Sequence, residues 1–204
     1  STNAWTHIAV TRSGTDLRLF YNGVQQGSTV TNSTNFTQNG VEIGAFGNGQ
    51  QSLDGKISNL RVTKGQALYT SDFLPSKEDL TTTSQGATAS NVKLLTCQDY
   101  KIQDNSPSPL SITVNGTAAP STIAPFVTSG AGSFDGNDYL TIANHASDFN
   151  LGTDDFTIEF WIHPQKRFTS YPTIFEIDAT DNANRLLINF RNAATLGLTS
   201  GTAV

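Results

Sequence analysis

Residues 155–164 read "DFTIEFWIHP", and they alternate without a break. Phe156, Ile158, Phe160 and Ile162 point one way, and Thr157, Glu159, Trp161 and His163 the other, a period of two that only a β-strand satisfies. Burying the four apolar side chains is worth roughly 6–12 kcal/mol at about 1.5–3 each. That is comparable with the net stability of a whole domain, about 5–15 kcal/mol. Such a strand therefore requires a second apolar surface laid over it, and the rest of the chain must supply one.

Working outward, the same period recurs. "WTHIAVTRSGTDLRLFYNGVQQG" (5–27) gives two strands, Trp5 to Thr11 and Leu17 to Tyr21, with Ile8 and Val10 on one face. Asn22-Gly23 then supplies a two-residue type I′ turn, whose two central positions both need positive φ. Further strand runs are "VEIGAF" (41–46), "GKISNLRVT" (55–63), "LSITVNG" (110–116), "DYLTIA" (138–143), "PTIFEID" (172–178) and "RLLINFR" (185–191). Turn-forming Gly, Asn, Asp, Ser and Pro separate them. The one helical candidate, "KGQALYTSDFLP" (64–75), has room for a single turn before Pro75. The fold class is all-β: an antiparallel β-sandwich.

Composition narrows the function. The chain has 204 residues, 14% charged, with a net charge of −5 and no basic stripe, which argues against nucleic-acid binding. No apolar run approaches the ~20 residues of a bilayer span, so membrane insertion is not expected. Methionine is absent, so the chain reads as a piece of a longer parent. The single cysteine, Cys97, lies in the apolar run "VKLLTC" and reads as a buried, inert thiol. "SKEDLTTTSQGATAS" (76–90) is small and polar, and is expected to be a linker. "NGTAAPSTIAPFVTSGAGS" (115–133) reads as a long loop or as a disordered segment.

The order of these segments resembles a known family. "SFDGNDYLTI", "DFNLGTDDFTIEFWIHP", "TIFEID" and "RLLINF" resemble the first half of a laminin-G-like jelly roll, the concanavalin A-like lectin/glucanase architecture. "WTHIAVTRSGTDLRLFYNGVQQG", "VEIGAFG" and "LDGKISNLRVTKGQALYTSDFLP" resemble its second half. In the family the second half follows the first; here it precedes it. The expected organisation is therefore split or tandem: 1–75 as the C-terminal half of one jelly roll, 76–90 as linker, and 91–204 as the N-terminal half of the next. Each half would then be completed by a neighbouring copy or by parent sequence. The alternative is that 91–204 and 1–75 close into one circularly permuted domain.

Candidate chemistry lies mainly in "FEIDATDNAN". The resemblance implies a glycanase row of carboxylates at Glu176, Asp178 and Asp181. The third position is one methylene shorter than the family's Glu, a misplacement that would cost about 10²-fold, so hydrolysis is not expected. Asp178, Asp181, Asn182 and Asn184 are also oxygen donors of the type calcium prefers, and Asp54, Asp135 and Asp138 are further candidates implied by the family's rim calcium. Tight-turn chemistry accounts equally for these Asp and Asn positions. Calcium is the one cofactor considered. His7, His145 and His163 are scattered and make no zinc motif. Trp5, Tyr21, Trp161 and Tyr171 are candidates for a sugar-stacking platform, with a place in the core as the competing reading for the two tryptophans. The resemblance implies a structural or adhesion module of an extracellular or virion-surface protein, such as a phage fibre or capsid decoration. Its partners would be other copies or repeats of the parent and surface glycans. A lectin and a glycanase are the alternatives.

Overall fold

The computed structural model describes residues 4–37, 40–47, 49–143, 145–165, 171–178, 184–192 and 195–200, with the backbone alone at 178, 191–192 and 195–200. The strands, in chain order, begin with β1 (Thr6–Ser13), β2 (Asp16–Tyr21), β3 (Val24–Gln25), β4 (Val30–Thr31), β5 (Gly40–Ile43) and β6 (Asp54–Lys64). Next come β7 (Val92–Thr96), β8 (Thr113–Asn115), β9 (Ala119–Ser121), β10 (Ala131–Asp135) and β11 (Tyr139–Ile142). The last four are β12 (Phe156–Pro164), β13 (Thr173–Asp178), β14 (Leu186–Asn192) and β15 (Thr195–Ser200). One sheet runs β3-β2-β1-β12-β6-β10-β9, with β4 also on β2 and β7 also on β6. The other runs β15-β14-β13-β5-β11-β8.

The two halves of the sequence are interleaved in both sheets. β1 pairs with β12 from Thr6↔Ile162 to Arg12↔Phe156, and β6 lies along the other edge of β12. In the second sheet β5 sits between β13 and β11. Residues 1–75 and 91–204 thus complete each other within one chain, where separate half-sandwiches finished by a neighbour were expected. The reason is local: β12 presents two unpaired ladder edges and an apolar face, and β1, β6 and β5 of the same chain offer matching ones. β12 holds Phe156, Ile158, Phe160 and Ile162 at no more than 1% exposure, against Ile8 and Val10 of β1 and Val41, Ile43, Leu140, Phe175 and Ile177 of the facing sheet.

β6 shares one edge between two strands. Asp54–Ile57 pairs with β10 and Leu60–Thr63 with β7. The changeover falls at Asn59, whose φ of 54° lies in the left-handed region that asparagine tolerates. The register along β12 shifts at the same place, where β6 carries one extra residue.

The stretch 76–90 is not a linker. Leu80 is buried with Ala87, Val92 and Leu95. Its backbone N–H donates to Asn59 Oδ1 at 2.7 Å, and Arg61 donates to the carbonyls of Thr81 and Ser84. Its small polar residues form tight turns that lie flat against the sheet. No helical turn forms in 64–75 either. Leu68 N–H donates to Thr157 Oγ1 and Thr11 Oγ1 to the Tyr69 carbonyl, so the sheet takes the backbone groups a helix would use. The 115–133 stretch is ordered and carries β9, which pairs with β10. The helical segments among the described residues are one turn at Ala146–Phe149 and 3₁₀ turns at Ser84–Gly86 and Ala89–Asn91.

Candidate functional site

The outer face of the first sheet collects side chains that strand periodicity assigns to solvent. Thr157 and Glu159 do lie opposite the apolar row, as their positions require. They are nonetheless fully buried, because residues 65–86 cross over them as a strap. Tyr69 and Phe73 of the strap stack at 3.5 Å, and both meet Phe20 edge-on.

Beneath the strap lies an ion-paired cluster. Glu159 Oε1 accepts from Arg61 Nε at 3.0 Å and also from Arg61 Nη2. Glu159 Oε2 accepts from the Tyr69 hydroxyl at 2.8 Å and lies 3.2 Å from His7 Nε2. Burial alone would push the Glu159 carboxyl upward. The hydrogen bond from His7 and the charge of Arg61 outweigh it and hold the acid below its ordinary value. Burial, followed by the adjacent Glu159 charge, holds the Tyr69 phenol far above its ordinary value. A carboxylate so saturated is an anchor for the strap and has no lone pair left for a substrate.

Arg12 makes a second buried cation, at the other end of β1. Its guanidinium sits 4.9 and 5.1 Å from the ring centroids of Phe36 and Phe156 and donates to the carbonyls of Thr34, Gly152 and Asp154. Desolvation lowers its pKa despite Asp154 and Asp155.

On the second sheet Glu176 is buried and accepts from Gly47 N–H at 3.1 Å, with Arg185 Nη1 3.7 Å away. Glu42 of β5 stands directly across from it, also buried. Glu42 was missed at the sequence level, although its alternate position in "VEIGAF" put it on the polar face. Of the implied glycanase row, Glu176 is thus tied into the scaffold. Asp178 is placed by its backbone opposite Gly40, while Asp181 and Asn182 lie outside the described residues.

The four platform aromatics are not brought together. Trp5 and Trp161 share the outer face, Trp5 against His163 at 5.3 Å and Trp161 against His7 at 5.2 Å and Phe126 at 5.4 Å. Tyr21 instead faces inward at the edge, packed on the core, its hydroxyl 3.2 Å from Thr6 Oγ1. Tyr171 is exposed, just before β13 of the other sheet.

The rim aspartates serve turns. Asp138 accepts from the backbone N–H groups of Thr117 and Asp135. Burial opposes ionisation there, and those bonds more than offset it, holding the carboxyl below its ordinary value. Among the described residues no group of three or more His, Cys, Asp or Glu side chains is placed to hold a metal ion.

Two facing antiparallel sheets make the molecule an antiparallel β-sandwich, consistent with the concanavalin A-like architecture. Residues 1–69, about a third of the chain, match the family model of laminin-G type described as the concanavalin A-like lectin/glucanases superfamily. That family supports a lectin-like or adhesion module in general. No curated protein and no solved structure matches the chain.

Proposed function

We propose that this chain is a non-enzymatic structural and adhesion module of a larger extracellular or virion-surface protein, of the kind that builds phage fibres and capsid decorations. The observation that carries the reading is the state of the carboxylates. Glu159 is held by Arg61, His7 and Tyr69, and Glu176 by Gly47 and Arg185, so the acids on the two sheets serve the scaffold. No helix among the described residues is long and apolar enough to cross a membrane. Other copies or repeats of the parent are its proposed partners, and no cofactor is required; calcium at Asp178 is the exception to test. Incubation with laminarin-type and agar-type polysaccharides should release no reducing ends. Release that disappears in Glu176→Gln would overturn the reading.

Carbohydrate binding is the second reading, favoured by the two half-buried tryptophans on one face. A glycan array with and without chelator tests it. Binding that survives the chelator and is lost in Trp5→Ala supports the aromatic platform, while binding lost with the chelator supports a calcium-dependent rim site.

A further inference from the structure

The strands are shared out so that neither half of the chain has a complete sheet of its own. β5 lies between β13 and β11, and β6 between β12 on one edge and β10 and β7 on the other. Among the described residues no strand of 1–75 stands beside either of them. β12 is the converse case, flanked on both edges by β1 and β6 of the first half. Each half therefore carries open ladder edges and an apolar face that the other completes. One covalent crossing, 76–91, joins them. Up to Ser84 it is fastened to the first half, since Arg61 donates to the carbonyls of Thr81 and Ser84. Beyond Ser84 it is half-exposed or exposed except at Ala87, and exposed bonds link Gln66 to Gly86 and Thr88. Two 3₁₀ turns, Ser84–Gly86 and Ala89–Asn91, fold this stretch back, and neither has a side-chain cap. Gln85 sits at φ 57° beside Gly86 at 80°, so the reversal holds a non-glycine residue in the left-handed region.

We infer that this chain exchanges halves with a second copy of itself: 1–84 of one molecule closes on 91–204 of the other, and the reverse. The inference rests on the proposal that copies of the parent are the partners, and it names the surface they use. That surface is the β1–β12, β12–β6 and β5–β13 pairing already formed within one chain, so no new contact has to be built. What changes is the crossing. Straightened, the residues from Ser84 to Asn91 reach about 26 Å at about 3.3 Å each, and the left-handed turn at Gln85 is released. Reciprocal exchange uses the same surface on both copies and closes at two molecules. Dilution favours the closed monomer, and concentration the exchanged dimer.

Refolding from urea at low and at high protein concentration, with mass read by light scattering, tests it. The dimer fraction should rise at least about tenfold across the series. Gln85→Gly, which relaxes the left-handed turn, should lower that fraction, and Gln85→Pro, which cannot take positive φ, should raise it. A mixing experiment reports the surface itself. Val10 and Ile158 are cross-strand partners on β1 and β12, both fully buried. Val10→Asp spoils the first half and Ile158→Asp the second, so each alone should fail to fold. Refolded together they should recover a dimer with a wild-type urea transition of half the wild-type amplitude, because the intact halves meet in one of its two sandwiches. Should either variant fold alone, the concentration series and the Gln85 pair decide. Monomer at every concentration, with no recovery on mixing, would overturn the inference and leave the module to associate through another surface. A dimer indifferent to Gln85 and without recovery would also overturn it, while leaving copies as the partners. Polysaccharide hydrolysis by the refolded protein would overturn the module reading instead, whatever its mass.

Discussion

Replacing Glu159 by Gln removes one negative charge from a cluster with no access to water. Arg61, itself 0% exposed, then keeps its charge with only neutral acceptors. Breaking one side of a buried ion pair costs about 3–5 kcal/mol. Because the amide still accepts one or two of the four contacts, the lower end, about 3 kcal/mol, is expected. For a chain of this size each kcal/mol moves the melting temperature by about 2–4 °C, so the midpoint should fall by about 6–12 °C. Thermal and urea unfolding followed by tryptophan fluorescence are the assays, the first for the midpoint and the second for the free energy, with Trp161 in ring contact with His7 as the internal reporter. Arg61→Met in the same background should not add its full single-mutant cost, and the two changes should couple by about 1–3 kcal/mol. The pH dependence has a definite sign. The folded-state pKa of Glu159 lies below its ordinary value of 4.5. Its contribution is therefore fully present above that value and is lost as pH falls through the folded value. Wild type and Glu159→Gln should consequently differ most near neutrality and converge in acid. A Glu159→Gln protein within 1 kcal/mol (by ~RT-scale error) of wild type at pH 7, or a difference that grows in acid, would refute the anchor role of the cluster.

Two further outcomes are expected. Gly23→Ala should destabilise by at least about 2 kcal/mol: φ is +79° at this turn, which is unfavourable for an L-residue, and the new Cβ would collide with the Phe73 carbonyl of the strap. Calorimetry showing less than about 1 kcal/mol would contradict the strap's placement on the hairpin. The Cys97 thiol, pushed up to about 12 by burial despite bonds from Thr96 and Gly132, should resist iodoacetamide at pH 8 in the folded protein and react once denatured. Rapid labelling of the native chain, seen by mass spectrometry, would show that the site opens.

What was legible from the residues alone follows from how local the signal is. A side-chain period of two belongs to the strand itself, so Phe156, Ile158, Phe160, Ile162, Ile8 and Val10 could be assigned to the core before any pairing was known. Asn22-Gly23 was legible as a turn for the same reason, since its φ values of 50° and 79° are a property of two adjacent residues. Tertiary structure alone decided which strands stand side by side. β1 finds β12 some 150 positions away because ladder edges and apolar faces match irrespective of chain order, so 1–75 and 91–204 close on each other. It also decided which polar residues meet water. Nothing in the alternation of "DFTIEFWIHP" could reveal that a strap from 65–86 covers Glu159. Nor could it show that Trp5 and Trp161 share a face while Tyr21 turns inward. A strand's own sequence specifies its two faces, but what lies over each face comes from the rest of the chain.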